Sequence, residues 1–116
     1  MHELGVVFHC LDEIKEIAKE QKLDKISKVT IELGEVSTVI PYYFEDCWNW
    51  AVKKEEGALK DCRVEIQKID AITHCEDCGE DYPTVEYGKI CPKCQSPNTY
   101  LLTGNEIIIK EIEVYS

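Results

Sequence analysis

The sequence lacks any long apolar run: nothing in its 116 residues approaches the roughly 18 consecutive apolar residues that a membrane helix needs. It is also poor in positive charge, with 13 lysines and arginines against 23 acidic residues and a net charge of −10. Phosphate binding requires a basic footprint, so this charge argues against a nucleic-acid partner. The first twenty residues carry Glu3, Asp12, Glu13 and Glu16 with no leading basic cluster, which does not fit a secretory signal. There is no glycine-rich phosphate loop and no nucleophile–base constellation, so neither nucleotide hydrolysis nor covalent catalysis is expected. The expectation is a cytoplasmic, non-enzymatic protein of one compact domain or a small domain with an insert.

Cysteine, by contrast, is plentiful. Cys75, Cys78, Cys91 and Cys94 stand as Cys-x-x-Cys, twelve residues, Cys-x-x-Cys. Two residues between each pair let a tight turn aim both sulfurs at one ion, and four thiolates suit tetrahedral zinc. Gly79 follows the second cysteine, where positive φ is expected, and Pro92 stiffens the second turn. Four protein ligands fill the shell, which is the pattern of a structural rather than a catalytic site. Iron in a rubredoxin-like carrier uses the same pair of turns, and the spacing does not separate the two metals. Seven cysteines, an odd number, fit a reducing compartment better than a disulfide scaffold. Lys89 and Lys93 read as partial compensation for the charge of such a site. His74, beside Cys75, is a candidate thiolate partner or exchange ligand.

Along the chain, Leu4, Val7, Leu11, Ile14 and Ala18 recur at helical spacing from Glu3 to about Lys22. Val29, Ile31 and Leu33 alternate with Lys28, Thr30 and Glu32, a half-buried strand. Pro41 suits the start of a second helix running to roughly Glu55, with Phe44, Cys47, Trp48, Ala51 and Val52 on one face and Gly57 beyond its end. A second strand follows through Val64 and Ile66. The apolar phase slips at Ile69 and Ala71, and again between Ile109 and Ile112, and a β-bulge is expected at each. The fold class predicted is α+β: a three-stranded mixed sheet with two helices on one face, plus an inserted zinc-knuckle module. Residues 1–72, completed by 104–116, form the main domain, and 73–103 form the insert. Cys47 and Cys62 read as small core residues, Trp48 as core, Trp50 as partly exposed and His9 as surface. The runs Asp12-Glu13 and Glu55-Glu56 read as solvated faces.

The extreme N-terminus holds further chemistry. With His2 as second residue, Met1 is expected to be retained. The terminal amine, the His2 amide and the His2 imidazole then offer three nitrogens to one ion, a donor set favoured by tetragonal or square-planar nickel and copper. Glu3 can add an oxygen ligand or favour the helix start.

Met1-His2-Glu3 opening a helix, Gly34-Glu35-x-Ser37 after the first strand, the paired Cys-x-x-Cys knuckle, and Gly104-Asn105-Glu106 before the last strand occur in one order. In this ordered set the chain resembles the hydrogenase nickel-incorporation family HypA, also called HybF, from Met1 to Val114. The resemblance implies a metallochaperone that delivers Ni(II) to the large subunit of nickel–iron hydrogenase together with a maturation GTPase, and it leaves a homodimer open. It maps nickel binding onto His2, with Met1, the backbone and Glu3 nearby, and structural zinc onto Cys75, Cys78, Cys91 and Cys94. Some relatives have a histidine after the last zinc cysteine, where this chain has Gln95, and a carboxylate where it has Ile40. An iron-bearing, rubredoxin-like electron carrier and a zinc-ribbon adaptor that binds only protein are the rival readings.

Overall fold

The computed structural model describes residues 3–115. Its elements are α1 (Glu3–Gln21), β1 (Ile26–Gly34), α2 (Pro41–Lys53), β2 (Arg63–Ile69), β3 (Ile72–Cys75), β4 (Asp81–Pro83), α3 (Thr84–Tyr87), β5 (Thr99–Thr103) and β6 (Ile107–Val114). Two three-stranded sheets result, ordered β2-β1-β6 and β4-β3-β5. The chain divides into two compact units, one of residues 1–32, 38–67 and 108–116, the other of 33–37 and 68–107.

In the first unit the apolar stripes of α1 and α2 supply the core. Val7, Leu11 and Ile14 from α1, Phe44 and Trp48 from α2, and Val29 and Ile31 from β1 are fully buried. Phe44 and Trp48 stack at 6.2 Å between ring centres. The indole N–H of Trp48 donates to the Cys62 carbonyl at 2.9 Å, so the polar edge of this buried ring is satisfied where β2 begins. The helix α1 stops at Gln21 because Lys22 turns left-handed (φ 55°) and the Leu23 amide closes back on Ala18 at 2.9 Å. At its other end α2 stops at Lys53, two residues before the expected limit, and Gly57 (φ 89°) serves the following loop.

The strand directions follow from contacts at both ends of β1. Lys28, near its start, pairs with Glu65 near the start of β2 (3.3 Å), and the Glu35 amide just past its end donates to Ile69 at the end of β2 (2.8 Å). Those two strands are parallel. Ser27 donates to the Glu113 carbonyl (3.0 Å) and the Gly34 amide to Glu106 (2.8 Å), so β6 runs antiparallel to β1. The sheet is mixed, as the strand–helix–strand order predicts.

Of the two expected bulges, the last strand carries the irregularity. There Ile107, Ile109 and Ile112 are part-buried while Lys110, Glu111 and Glu113 are exposed, so the apolar phase slips between Ile109 and Ile112. The first slip has another cause and corrects the expectation: β2 simply ends at Ile69, and β3 starts at Ile72 in the other sheet. Cys47 is half-buried rather than core, and Glu55 is not merely solvated, since it pairs with Lys15 at 2.9 Å. Cys10 and Cys62 are buried. Burial, with the Glu13 charge, pushes the Cys10 thiol up to about 11; burial does the same for Cys62 against the opposing charges of Lys25 and Arg63. Both are therefore inert core thiols at neutral pH.

Candidate metal centre

The second unit is built around its cysteines. The four sulfurs lie within 4.8 Å of one another, with Cys75 to Cys94 and Cys78 to Cys91 each at 3.5 Å. Zinc–sulfur bonds of about 2.3 Å in a tetrahedron place sulfurs about 3.8 Å apart, so the donor set and its spacing fit a tetrathiolate ion. Thiolates at these four residues would hold the ion, and zinc would supply cross-linking of two turns rather than an open coordination position.

The two turns are built alike. The Cys75 amide donates to Glu80 (2.9 Å) and the Gly79 amide back to Cys75 (2.9 Å); the Cys91 amide donates to Ser96 (3.0 Å) and the Gln95 amide back to Cys91 (2.8 Å). Both require a left-handed residue after the second cysteine: Gly79 at φ 77° meets it without strain, and Gln95 at φ 62° does not. Sequence reasoning anticipated the first and missed the second, because a glutamine carries no left-handed signal. The position where some relatives have histidine is thus a strained backbone site here. A Cβ on Gly79 meets nothing within 4 Å, so Gly79→Ala should destabilise the unit by the conformational cost alone, about 1–2 kcal/mol, and Gln95→Gly should return up to about 1 kcal/mol. Chelator competition and thermal melts of the two variants check both signs.

Around the turns, the Asp77 carboxylate accepts from the Ser96 hydroxyl and from the Asn98 side-chain amide (3.2 Å), which ties the first turn to the segment after the second. These hydrogen bonds, that from Ser96 first, hold the Asp77 carboxyl below its ordinary range. Burial opposes ionisation of Cys91, but the amides of Cys94 and Lys93, with the neighbouring sulfurs, bring its thiol down to about 7. The Ser96 amide favours the Cys94 thiolate, yet burial and the other three sulfurs push it up to about 12. Thiolates this close oppose one another's ionisation, a repulsion that a bound divalent cation relieves.

Beneath the turns Cys75, Tyr82 and Cys91 form a small core, with the Tyr82 hydroxyl donating to Gly88 at 2.9 Å. His74 does not reach a sulfur: its Nδ1 pairs with Asp81 at 2.6 Å across the β3–β4 ladder, and its ring tilts against Tyr100 at 5.3 Å.

The motif Gly34-Glu35-x-Ser37 and the motif Gly104-Asn105-Glu106 meet in this unit. Glu35 accepts from the Ala71 amide (2.9 Å) and pairs with Lys68 (3.4 Å). Glu106 accepts from the Gly104 amide (2.6 Å) and the Thr103 hydroxyl (3.0 Å). These bonds, the Gly104 amide first, lower the Glu106 carboxyl. The two glycines allow the segments to touch: a Cβ on Gly34 would lie 2.1 Å from the Gly104 oxygen, and one on Gly104 2.4 Å from the Ala71 Cα.

The other expected ligands divide. Met1 and His2 lie outside the described residues, while Glu3 opens α1. Burial first, then the charges of Glu3 and Asp46, raises the Cys47 thiol. Ile40 stands half-exposed just before α2.

Fold and site together define a small α+β protein with a tetracysteine metal module. Residues 1–114 match the family described as hydrogenase/urease nickel incorporation, metallochaperone, hypA, and the chain belongs to that family. It is 32% identical over 114 residues to a hydrogenase maturation factor HypA of Dehalococcoides mccartyi strain 195, covering 98% of this chain and 94% of that one. It is 29% identical to its counterpart in Aquifex aeolicus, covering 98% and 97%. A solution structure of the Ni metallochaperone HypA from Helicobacter pylori superposes with a TM-score of 0.73 at 27% identity, covering 98% of this chain and 97% of that one.

Proposed function

We propose that this chain is a non-enzymatic nickel carrier for hydrogenase maturation, and family membership along residues 1–114 is the observation that carries the reading. Residues 1–72 with 104–116 form the nickel-binding domain in this proposal. The Met1 amine, the His2 amide and imidazole, and Glu3 hold Ni(II) as cargo with modest affinity, which suits a site that must release what it binds. Cys75, Cys78, Cys91 and Cys94 hold zinc and keep residues 73–103 folded. The recipient is the large subunit of a nickel–iron hydrogenase in the cytoplasm, and ligand exchange moves the ion. A maturation GTPase supplies the energy of any nucleotide-driven step, because this sequence has no phosphate loop of its own.

Calorimetric titration of Ni(II) into untagged protein with a native Met1, beside His2→Ala, tests the reading. One-to-one binding that disappears in the variant, with zinc content unchanged, is expected. Equal binding by both proteins overturns the His2 assignment, and no binding by either favours the zinc-ribbon adaptor.

A further inference from the structure

Towards the end of α1, that helix and the loop after α2 enclose a cavity of about 240 Å³. Its floor is apolar: Ala18 and Leu59 are buried, and Leu23 and Ala58 line it beside them. Two alanines make the room. The buried stripe of Val7, Leu11 and Ile14 narrows to a methyl at Ala18, and Ala58 presents a second methyl from the loop. The backbone beneath is pinned, since the Leu23 amide donates to the Ala18 carbonyl and the Ile26 amide to that of Ala58, each at 2.9 Å. The cavity is therefore set by the fold itself, as ligand pockets usually are.

Its walls carry both signs of charge. Lys15 and Lys19 stand one turn apart on the same face of α1, and the adjacent Glu55 and Glu56 come from the loop after α2. Lys15 and Glu55 meet at 2.9 Å, with the Glu55 side chain only 16% exposed, so the two walls converge on one rim. Among the described residues neither Lys19 nor Glu56 takes part in an ion pair. A simple cation meets the lysines here and a simple anion the glutamates, whereas a molecule with a carboxylate and an ammonium on neighbouring carbons complements both walls. The volume lies below the roughly 300 Å³ at which pockets for drug-sized ligands begin, which suits a ligand of one residue. We propose that this cavity binds a free α-amino acid with an aliphatic side chain. Its carboxylate lies toward Lys15 and Lys19, its ammonium toward Glu55 and Glu56, and its side chain on Ala18, Ala58 and Leu59. This goes beyond the cargo reading and does not depend on it.

The test uses the whole, metal-loaded protein labelled with ¹⁵N and titrated with L-leucine. Saturable amide shifts are expected at residues 15–23 and 55–59, with those of residues 75–94 unmoved. N-acetyl-leucine lacks the ammonium and leucinamide lacks the carboxylate; each should bind at least about tenfold more weakly, because each loses a charge-assisted hydrogen bond. Ala58→Leu fills the cavity and leaves all four charges in place, so it should abolish the shifts while the Trp48 indole signal reports an intact core. The inference is overturned if leucine at tens of millimolar moves none of these amides. It is equally overturned if either blocked form binds as well as leucine, or if Ala58→Leu binds like the parent.

Discussion

Replacing Cys75 by serine should unfold residues 68–107 while α1, α2 and the first sheet stay folded. Cys75 is fully buried, and among the described residues it shares a small core with Tyr82 and Cys91. Burying one tyrosine contributes on the order of 2 kcal/mol, far less than the conformational entropy of ordering a unit this size, at about 1–2 kcal/mol per residue for the backbone. A tetrathiolate ion closes that gap, since structural zinc contributes roughly 10–16 kcal/mol in small metal-folded peptides. The variant's amide spectrum should therefore collapse for the second unit and keep the dispersion of Val7, Ile14 and Trp48. A strong chelator at neutral pH should do the same to the parent. Because the ion binds thiolates, binding releases protons, and retention must weaken as pH falls rather than as it rises. A second unit that keeps its dispersion without metal would sink this account. The absorption of the purified protein decides the ion, since ferric tetrathiolate is coloured and zinc is not.

Gly104→Ala should cost about 3 kcal/mol or more, the second large effect. The residue sits at φ 118°, and an added Cβ would lie 2.4 Å from the Ala71 Cα and 2.5 Å from its Cβ. Those are backbone and short side-chain atoms that cannot swing aside, so the loop must move, and with it the Gly104 amide held by Glu106. Gly5→Ala is the matched control. It lies within α1 and its Cβ would meet nothing within 4 Å, so it should stabilise by about 0.5–1 kcal/mol through helix propensity alone. Thermal melts of the pair should move in opposite directions. Two downward shifts of similar size would mean that the close approach at Gly104 is not what matters.

Much of this was legible in the sequence because it depends on local chemistry. The 3.6-residue stripe of α1, the alternation of Val29, Ile31 and Leu33, and the paired cysteine turns each declare themselves within a dozen residues. The unread parts depend on partners distant in sequence. The slip at Ile69 looked like a bulge because a change of sheet and a bulge shift the apolar phase in the same way. The ladder β4-β3-β5 was missed because its strands are short and its burial comes partly from cysteine. Gln95 hid its left-handed backbone behind an ordinary residue type. Gly34 and Gly104 stood out as motif letters, but their contact, seventy positions apart in sequence, gave no local sign.

The placement of β6 beside β1 sets an order on synthesis. A nascent chain that has passed Cys94 already carries all four sulfur donors, so the module can capture its ion and begin to close. The central strand β1 must then wait, one edge bare, until Ile107–Val114 leaves the ribosome. Such distant pairing is slow because loop closure comes before its reward. A strand translated after the cysteine module thus completes the sheet that β1 begins, and deleting Ile107–Val114 should harm α1, α2 and that sheet more than the cysteine module.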